Sequence, residues 1–522
     1  MTTVGDRRVA ETAEDITAVL LELERPCWIV RLDGRIGATS DAESAARGQI
    51  LAAVGPLPPE SLGDSSFRAS YGVRAAYASG AMANGIASPQ LVIAMAEAGY
   101  LASYGAAGVT PTEVDTALAR LSSQLAGKPF ACNLIHSPAE PALERAIVDG
   151  CLRHRVGCVE ASAFMDLTPE IVRYRAAGLA VNRQGDIERR NRVIAKVSRA
   201  EVAELFLRPA PERLLRNLVD TGRITSAQAE LAARIPMADD ITAEADSGGH
   251  TDRRPLMVLL PELVAARNRV AHTLPTAASV RIGAAGGIGT PDAAAAAFAM
   301  GAAYIVTGSI NQATLEAHQC DATKKLLASA QFADCVMAPS SDMFELGVQV
   351  QVLRRGTMFA TRAQRLYDLY RAYDSIDDLP AEVRKDLETR LFRRPLRTVW
   401  QDCVAFFTER DPAQLDSAEN DPKAQMALIF RWYLGLSSGW SIRGDTERVT
   451  DYQIWCGPAM GAFNTWAAGS YLAEPGNRSV ADIADQMMLG AAYLTRVAQL
   501  RTAGVRLPAA VSRFVPRPVR EQ

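Results

Sequence analysis

A histidine that directly follows two glycines is the residue in this chain best placed to do chemistry. His250 ends the segment Asp246-Ser247-Gly248-Gly249-His250, which follows a short stretch with the character of a strand. Glycine permits positive φ angles and a close approach of the backbone to a ligand. The imidazole of His250 would then face that ligand, and its charge changes near neutral pH, as proton transfer requires. The alternative is an ordinary strand-to-loop turn with a surface histidine.

Two glycine-rich segments further along the chain predict a phosphate site. Segment 283–291 contains Gly286 and Gly287, and segment 307–312 contains Gly308 and Ser309. Backbone N–H groups at glycine turns, with the positive ends of helices, bind a phosphate dianion without a lysine. The late position and the missing downstream acid argue against a dinucleotide fingerprint, so a flavin mononucleotide is favoured as the tightly held cofactor. The alternative is a tight turn followed by a close-packed helix.

Other reactive side chains give weaker hypotheses. Glu244 and Asp246 could form a general-base pair, and Ser247 could act as a nucleophile, although the sequence places no base beside it. His136 could reach the mouth of a site. The remaining histidines lie in or near predicted helices, where a structural or solvated role is expected; they are His154, His272 and His318.

The elements that must position these residues alternate between strands and helices from residue 71 onward. Short apolar runs with strand character occur at 76–83, 100–104, 130–134, 157–161, 193–197, 241–245, 256–260, 279–284 and 303–307. This alternation predicts an α/β fold, specifically a (β/α)8 TIM barrel. Active sites of such barrels lie at the C-terminal ends of the strands, and phosphate is usually bound after the last two. Both glycine segments have that position.

The chain outside the strands suggests four regions. Residues 1–70 form an N-terminal module or arm, and 71–314 form the barrel, interrupted by a helical insertion at 199–236 that should lie on the catalytic face. Residues 315–505 have helical spacing throughout, which predicts an all-helical C-terminal extension, with helices at 315–329, 361–373, 380–391, 423–435 and 479–503. Residues 506–522 form a tail.

Composition excludes several classes of protein. The formal charge of the 522-residue chain is −3, so no overall basic field attracts nucleic acid or anionic lipid. The N-terminus lacks the apolar core of a secretion signal, which predicts a cytoplasmic protein. Eight scattered cysteines have no zinc-binding spacing and are expected to be free thiols, so no metal site is predicted. No apolar run is long enough to span a membrane.

Several long motifs resemble one family of flavin enzymes. The segment 81–88, Asn133 in Phe-Ala-Cys-Asn-Leu, residues 246–250 and the two glycine segments resemble the FMN barrels of the nitronate monooxygenase and enoyl reductase superfamily. More narrowly, segments 237–252, 307–313 and 455–464 are similar to PfaD-type trans-acting enoyl reductases of polyunsaturated fatty acid and polyketide synthases.

The resemblance implies FMN, NADPH as the reductant and a 2-enoyl thioester on an acyl carrier protein as the substrate. It implies that His250 faces the reactive side of the flavin as a catalytic acid or polarising group. The residues that it assigns to the flavin ring are Met82, Ala83, Asn84, Asn133, Ser247, Gly248 and Gly249. It assigns the phosphate to Gly286, Gly287, Gly308 and Ser309.

Some assignments keep an alternative. The resemblance implies that Lys196 approaches the N1/O2 edge of the flavin or its phosphate, whereas Lys196 and Arg199 could also be surface cations or partners of the insertion. Asn84 could be a turn or helix-cap residue. Two other functions also remain open: a nitronate monooxygenase-type flavin oxidase, and a non-catalytic docking subunit of a synthase. A homo-oligomer is possible.

Overall fold

The computed structural model describes residues 9–136, 141–410 and 412–518. The described chain begins with a small module whose three antiparallel strands have the order β2-β1-β3. The first elements are α1 (Ala13–Leu21), β1 (Cys27–Leu32), β2 (Arg35–Thr39), α2 (Ala42–Ala46), β3 (Gln49–Val54) and α3 (Ser65–Tyr71).

Eight parallel strands then form a closed barrel, which confirms the predicted fold class. The elements of this region are β4 (Tyr77–Ser79), α4 (Pro89–Glu97), β5 (Leu101–Tyr104), α5 (Pro111–Leu125), β6 (Ala131–Ile135), α6 (Pro141–Arg153), β7 (Cys158–Ser162), α7 (Pro169–Ala177), β8 (Leu179–Val181), β9 (Ile187–Arg189), β10 (Arg192–Val197), α8 (Ala200–Leu207), α9 (Glu212–Asp220), α10 (Ser226–Ala232), β11 (Asp240–Glu244), β12 (Gly249–His250), α11 (Leu256–Thr273), β13 (Arg281–Ala285), α12 (Pro291–Ala299) and β14 (Ile305–Thr307). The barrel strands follow one another in chain order, and β14 pairs with β4 to close the ring.

One local sequence signal begins four of the barrel helices. A serine or threonine precedes a proline at the start of α4, α5, α7 and α12, and its hydroxyl accepts a hydrogen bond from a backbone N–H in the first turn. The proline lacks an N–H that would have no helical partner there, and its fixed φ suits the helix. These dipeptides fix where each strand-to-helix loop on the catalytic face ends.

The opposite end of the barrel is fastened by buried charges. Arg281 donates to both oxygens of Asp240 at 2.6 and 2.8 Å, and the Tyr71 hydroxyl donates to the same carboxylate at 2.6 Å. Arg175 binds Asp239 at 2.7 Å. Asp240 and Arg281 are the first residues of β11 and β13, so these pairs join the N-terminal strand ends.

Two expectations about this region are wrong. Residues 256–260 are not a strand but the first turns of α11, since a five-residue apolar run suits a buried helix as well as a strand. The insertion does contain the expected helices, but α9 and α10 pack against α7 on the side of the barrel instead of covering the catalytic face.

The C-terminal extension is largely helical, as predicted, but it also contains a β-hairpin. Its elements are α13 (Asp321–Ala328), β15 (Cys335–Pro339), β16 (Gln349–Leu353), α14 (Phe359–Ala372), α15 (Ala381–Asp386) with a π-helical turn at Leu387–Leu391, α16 (Leu396–Arg410), α17 (Pro412–Asn420), α18 (Pro422–Arg443), α19 (Ala459–Ala467) and α20 (Val480–Thr502). Strand β12 joins the hairpin to give a sheet with the order β12-β16-β15. The extension is therefore attached to the loop that carries His250.

Helix α20 lies in the place of the eighth barrel helix. It packs against α12 and α4, the helices that flank the gap after β14. Gly490 permits this approach, because a Cβ there would lie 2.7 Å from the side chain of Pro291. The chain between β14 and α20 is thus a long excursion from the barrel.

A buried arginine joins the N-terminal module to α20. The guanidinium of Arg496 is fully buried and donates to five backbone carbonyls of the module. They belong to Leu20, Glu22, Leu23, Arg25 and Gly55.

No helix within the described residues has the length and apolar character needed to cross a membrane.

Replacement of Arg496 by methionine should detach the module. The five carbonyls would lose their donors, and buried polar groups without partners are costly, so we expect a loss of about 2–4 kcal/mol in the free energy of unfolding. Urea denaturation and limited proteolysis before residue 60 would measure the effect. Arg501→Met is the control on the same helix, because Arg501 is exposed and, within the part of the chain that the structure describes, its side chain donates only to Ser512. Equal stability of the two variants would contradict the assigned role of Arg496.

Candidate active site

The residues singled out from the sequence lie together at the C-terminal ends of the barrel strands. Parallel strands end on one face, so loops that follow different strands share one rim. Residues 82–84 follow β4, Asn133 and Lys196 lie in β6 and β10, Ser247 to His250 follow β11, Gly286 and Gly287 follow β13, and Gly308 and Ser309 follow β14.

A half-buried cation and two carboxylates form the floor of this site. The Nζ atom of Lys196 lies 3.1 Å from Glu244 and 3.5 Å from Glu160. Burial lowers the pKa of Lys196, but the charges of Glu244 and Glu160 raise it by a larger amount. The net pKa therefore lies above the ordinary value for lysine. Lys196 therefore stays protonated and is not the surface cation of the alternative hypothesis. Arg199 is such a cation, since it is exposed and binds Asp252 at 2.8 Å.

Asn133 lies beside this cluster, and only the nitrogen of its amide is hydrogen-bonded to the described residues. Its Nδ2 donates to the Glu160 carbonyl at 3.1 Å and to the Ser162 hydroxyl at 2.8 Å. No group among the described residues donates a hydrogen bond to its Oδ1. An amide oxygen held in this way is an acceptor for an N–H group of a bound ligand.

The glycine turns give the rim an open surface. Gly286 has φ +82°, and a Cβ at this residue would lie 2.5 Å from the carbonyl carbon of Ala245. A Cβ at Gly287 or Gly308 would meet no atom within 4 Å, so these two residues border open space. A glycine turn that borders open space fits the phosphate that the sequence predicts here.

The extension covers part of the same rim. The backbone N–H of Gly457 donates to the Ser309 hydroxyl at 3.0 Å. A Cβ at Gly248 would lie 2.9 Å from the backbone nitrogen of Cys456. Segment 455–457, which the sequence marked only as a motif, therefore holds both Ser309 and Gly248 in place.

Asn84 is also held by the extension. It has φ +56°, and its Nδ2 donates to the Ser438 hydroxyl of α18 at 2.9 Å. This contact accounts for the asparagine as a turn residue that anchors the loop after β4. A role of residues 82–84 beside the flavin stays a prediction.

His250 is held by the hairpin of the extension. Gly249 pairs with Gln351 and His250 pairs with Val350, which makes β12 the edge strand of the three-stranded sheet. The turn between β15 and β16 then brings Asp342 to 3.2 Å from the imidazole Nε2. The hydroxyl of Ser340 lies 3.3 Å from the same nitrogen and also donates to Asp342.

The pairing with Asp342 raises the pKa of His250. Burial lowers the pKa of the imidazole, but the hydrogen bond and the charge of Asp342 raise it by more, so the net pKa lies above the ordinary value. For Asp342, burial raises the pKa, and the histidine lowers it by more, to about 2. Glu244 raises the pKa of the imidazole as well, and Lys196 lowers it, so the histidine and the charged floor lie close enough to act on each other.

The geometry also selects the imidazole nitrogen that can react. Asp342 and Ser340 both lie at Nε2, and no hydrogen bond joins Nδ1 to any of the described residues. A protonated His250 can therefore donate from Nδ1 while Nε2 remains bound. This is the arrangement of a positioned general acid.

The weaker hypotheses lose support. Glu244 is paired with Lys196, and Asp246 accepts a hydrogen bond from Gln351 at 2.8 Å, so these carboxylates are already bound within the protein. The Ser247 hydroxyl donates to Glu244 at 3.5 Å, its one side-chain partner among the described residues. His136 lies 3.2 Å from Glu144. Within the described residues, no group of three or more metal-binding side chains is found.

Sequence reasoning missed three residues of the site. Glu160 could have been found, because a carboxylate in the middle of a fully apolar strand needs a partner. Asp342 and Gln351 gave no signal, since they lie about ninety or a hundred residues beyond the loop that they contact.

Comparison with known proteins agrees with this geometry. The nitronate monooxygenase family model matches residues 77–366, which include both His250 and Asp342 and exceed half of the chain. The model of the fatty acid synthase subunit PfaD N-terminal domain matches residues 4–56. The crystal structure of the enoyl reductase domain of MlnA, from the macrolactin biosynthesis cluster of Bacillus amyloliquefaciens, is 37% identical, with a TM-score of 0.81 over 85% of this chain and 100% of that one. This chain belongs to the PfaD-type enoyl reductases of the nitronate monooxygenase family.

Two other relatives are longer proteins, of which this chain matches only a part. The chain is 48% identical to a polyunsaturated fatty acid synthase subunit of a Thraustochytrium species, over 94% of this chain and 33% of that protein. It is 44% identical to polyketide biosynthesis protein PksE of Bacillus subtilis, over 84% of this chain and 57% of that protein. The chain thus spans between a third and just over half of these two relatives. Residues 373–452 match the inserted helical domain of [acyl-carrier-protein] S-malonyltransferase.

The two adjacent glycines of the rim should differ in their tolerance of alanine. Gly287→Ala should cost only the strain of a left-handed backbone, about 1–2 kcal/mol. Gly286→Ala adds a clash with Ala245 and should cost about 2–5 kcal/mol. Thermal unfolding of the two variants compares them, and a Gly287 variant as unstable as the Gly286 variant would contradict this account of the turn.

Removal of the Asp342 charge should lower the pKa of His250. Asp342→Asn keeps the shape of the side chain but loses the charge that favours the imidazolium. An NMR titration of the five histidines should therefore show the His250 resonance moving to a lower midpoint pH. Asp252→Asn is the control, because Asp252 lies two residues from His250 but binds Arg199. An unchanged His250 midpoint in Asp342→Asn would exclude the pairing.

Proposed function

We propose that this chain is an FMN-dependent enoyl reductase. It uses NADPH to reduce the 2,3 double bond of a 2-enoyl thioester bound to an acyl carrier protein, in polyketide or polyunsaturated fatty acid biosynthesis, and it acts in trans. The observation that carries the proposal is the His250–Asp342 pair beside a glycine-lined rim that fits a phosphorylated cofactor. The similarity to the MlnA enoyl reductase domain supports it.

FMN fits the residues that line the hollow. The phosphate would bind at the turn of Gly286 and Gly287 and at Gly308, and open space borders Gly287 and Gly308. The free Oδ1 of Asn133 is an acceptor for an N–H of the flavin ring. Lys196 supplies a positive charge for the electron-rich edge of the ring, and its two carboxylate partners keep it protonated. Bound FMN would supply hydride transfer from NADPH to the β-carbon of the thioester, which side chains cannot perform.

The protein residues then handle the proton and the developing charge. Addition of hydride to the β-carbon leaves negative charge on the thioester enolate, and the imidazolium of His250 stabilises that charge. Its Nδ1 proton moves to the α-carbon, which completes the saturated thioester. Asp342 holds the ring by Nε2 and raises its pKa, and a proton from solvent restores the imidazolium after each turnover.

Substitution of His250 tests the proposal. We expect purified protein to bind FMN, anaerobic NADPH to bleach the flavin, and a crotonyl thioester to restore its colour. His250→Ala should lower the turnover number by about 10²–10⁴-fold and leave the flavin content unchanged, since the side chain moves a proton and does not hold the cofactor. Stopped-flow absorbance would measure both steps.

Controls and other outcomes separate the competing functions. His272→Ala removes an exposed histidine of α11 and should change nothing. Turnover of a nitronate with oxygen and without nicotinamide would favour a flavin oxidase. Colourless protein that takes up no FMN would favour a docking subunit without catalysis.

A further inference from the structure

Beside His250 lies an exposed patch that is both basic and apolar. We define the rim patch as Arg253, Arg254, Met257 and Val258. Both arginines are exposed, and Met257 and Val258 expose 78% and 66% of their surface in the first turn of α11. The next residues of that helix, Leu259 and Leu260, are buried against the barrel. Large apolar side chains that point away from the core beside charged residues are typical of interaction sites.

The charge of the rim patch is only partly offset among the described residues, where Arg254 acts electrostatically on Asp252 and lowers its pKa. Neither Arg253 nor Arg254 forms an ion pair or a side-chain hydrogen bond with any residue that the structure describes. The nearest acid in sequence, Asp252, is bound by Arg199 at 2.8 Å. Arg199, Arg253 and Arg254 together with Asp252 carry a net charge of +2, on a chain whose net charge is −3. The patch therefore attracts an anionic partner locally.

The loop that carries the arginines is held in one conformation. Arg253 has φ +51°, which is strained for a side chain other than glycine. Its backbone N–H donates to the Thr251 hydroxyl at 2.9 Å, and the carbonyl of Arg254 accepts from Asp246 at 3.1 Å. The fold thus maintains an unfavourable backbone that presents two arginines next to the catalytic loop.

The position of the patch relative to His250 suits a tethered substrate. Arg253 and Arg254 follow His250 by three and four residues, at most about 14 Å of extended chain. A thioester that reacts at His250 on a phosphopantetheine arm must leave its phosphate and its carrier outside the hollow, on the rim. A cationic pair with adjacent apolar residues suits that anion and the protein surface around it.

We propose that the rim patch is the docking surface for the acyl carrier protein. This inference rests on the proposed function. Arg253 and Arg254 contact carboxylates of the carrier around the base of its arm, and Met257 and Val258 contact its apolar surface. The apolar pair favours a protein over free coenzyme A, because the arm alone offers no surface large enough to cover it.

Charge reversal tests the proposal with three thioesters of one acyl group. In Arg253→Glu/Arg254→Glu, the KM for crotonyl carrier protein should rise about tenfold or more with kcat nearly unchanged, and the salt dependence of KM should weaken. For crotonyl coenzyme A and the N-acetylcysteamine thioester, kcat/KM should stay within about twofold of wild type, since neither substrate has a carrier. Met257→Ser/Val258→Ser should raise only the carrier KM and keep its salt dependence. Arg506→Glu/Arg513→Glu, which reverses two exposed arginines near the C-terminus, should behave as wild type.

The remaining outcomes overturn the inference or the function separately. An unchanged carrier KM places docking elsewhere. If the charge-reversal variant loses as much kcat/KM with crotonyl coenzyme A as with crotonyl carrier protein, the arginines bind only the arm. If it loses the same amount with all three thioesters, the substitutions disrupt the loop. If wild type reduces none of them, the proposed function fails. Fluorescence anisotropy of labelled holo-carrier protein then decides docking without turnover, since loss of binding in the charge-reversal variant supports it and unchanged binding refutes it.

Discussion

The antiparallel pairing of Gly249 and His250 with Gln351 and Val350 is the contact on which the site depends. Without it, the loop after β11 would be a glycine-rich turn with an exposed histidine of ordinary basicity. Because the hairpin fixes both the backbone of His250 and the position of Asp342, it sets the orientation and the charge of the imidazole together. The raised pKa of His250 therefore follows from this sheet and not from the barrel alone.

The barrel contributes a different part of the site. Its parallel strands bring the glycine turns, Asn133 and Lys196 to one rim, and Glu160 and Glu244 keep the lysine charged below them. The extension then reaches this rim at separate points, through Ser438 at Asn84 and through Gly457 at Ser309. A cofactor in the hollow would thus be held by the barrel from below and by the extension from the side.

The sequence predicted the part of the site that local patterns encode. Strand-helix alternation predicts the barrel, and glycine segments after late strands indicate the rim. Asp342 and Gln351 were not predictable in this way, because only the tertiary pairing of β12 with β16 brings them to His250. The run at 256–260 was misassigned since local periodicity cannot separate a buried strand from a buried helix. Helix α20 was predicted as a helix, but its place against α12 and α4 had no local signal.

The location of α20 has a consequence for how the polypeptide reaches its native state. Closure of the barrel wall needs a helix made some 170 residues after β14, so a nascent chain that ends before Val480 leaves α12 and α4 with bare apolar flanks. During synthesis these apolar surfaces of α12 and α4 stay exposed until the ribosome has made the segment between β14 and α20. Such sequence-distant contacts slow folding and leave surfaces that can aggregate exposed until α20 is made.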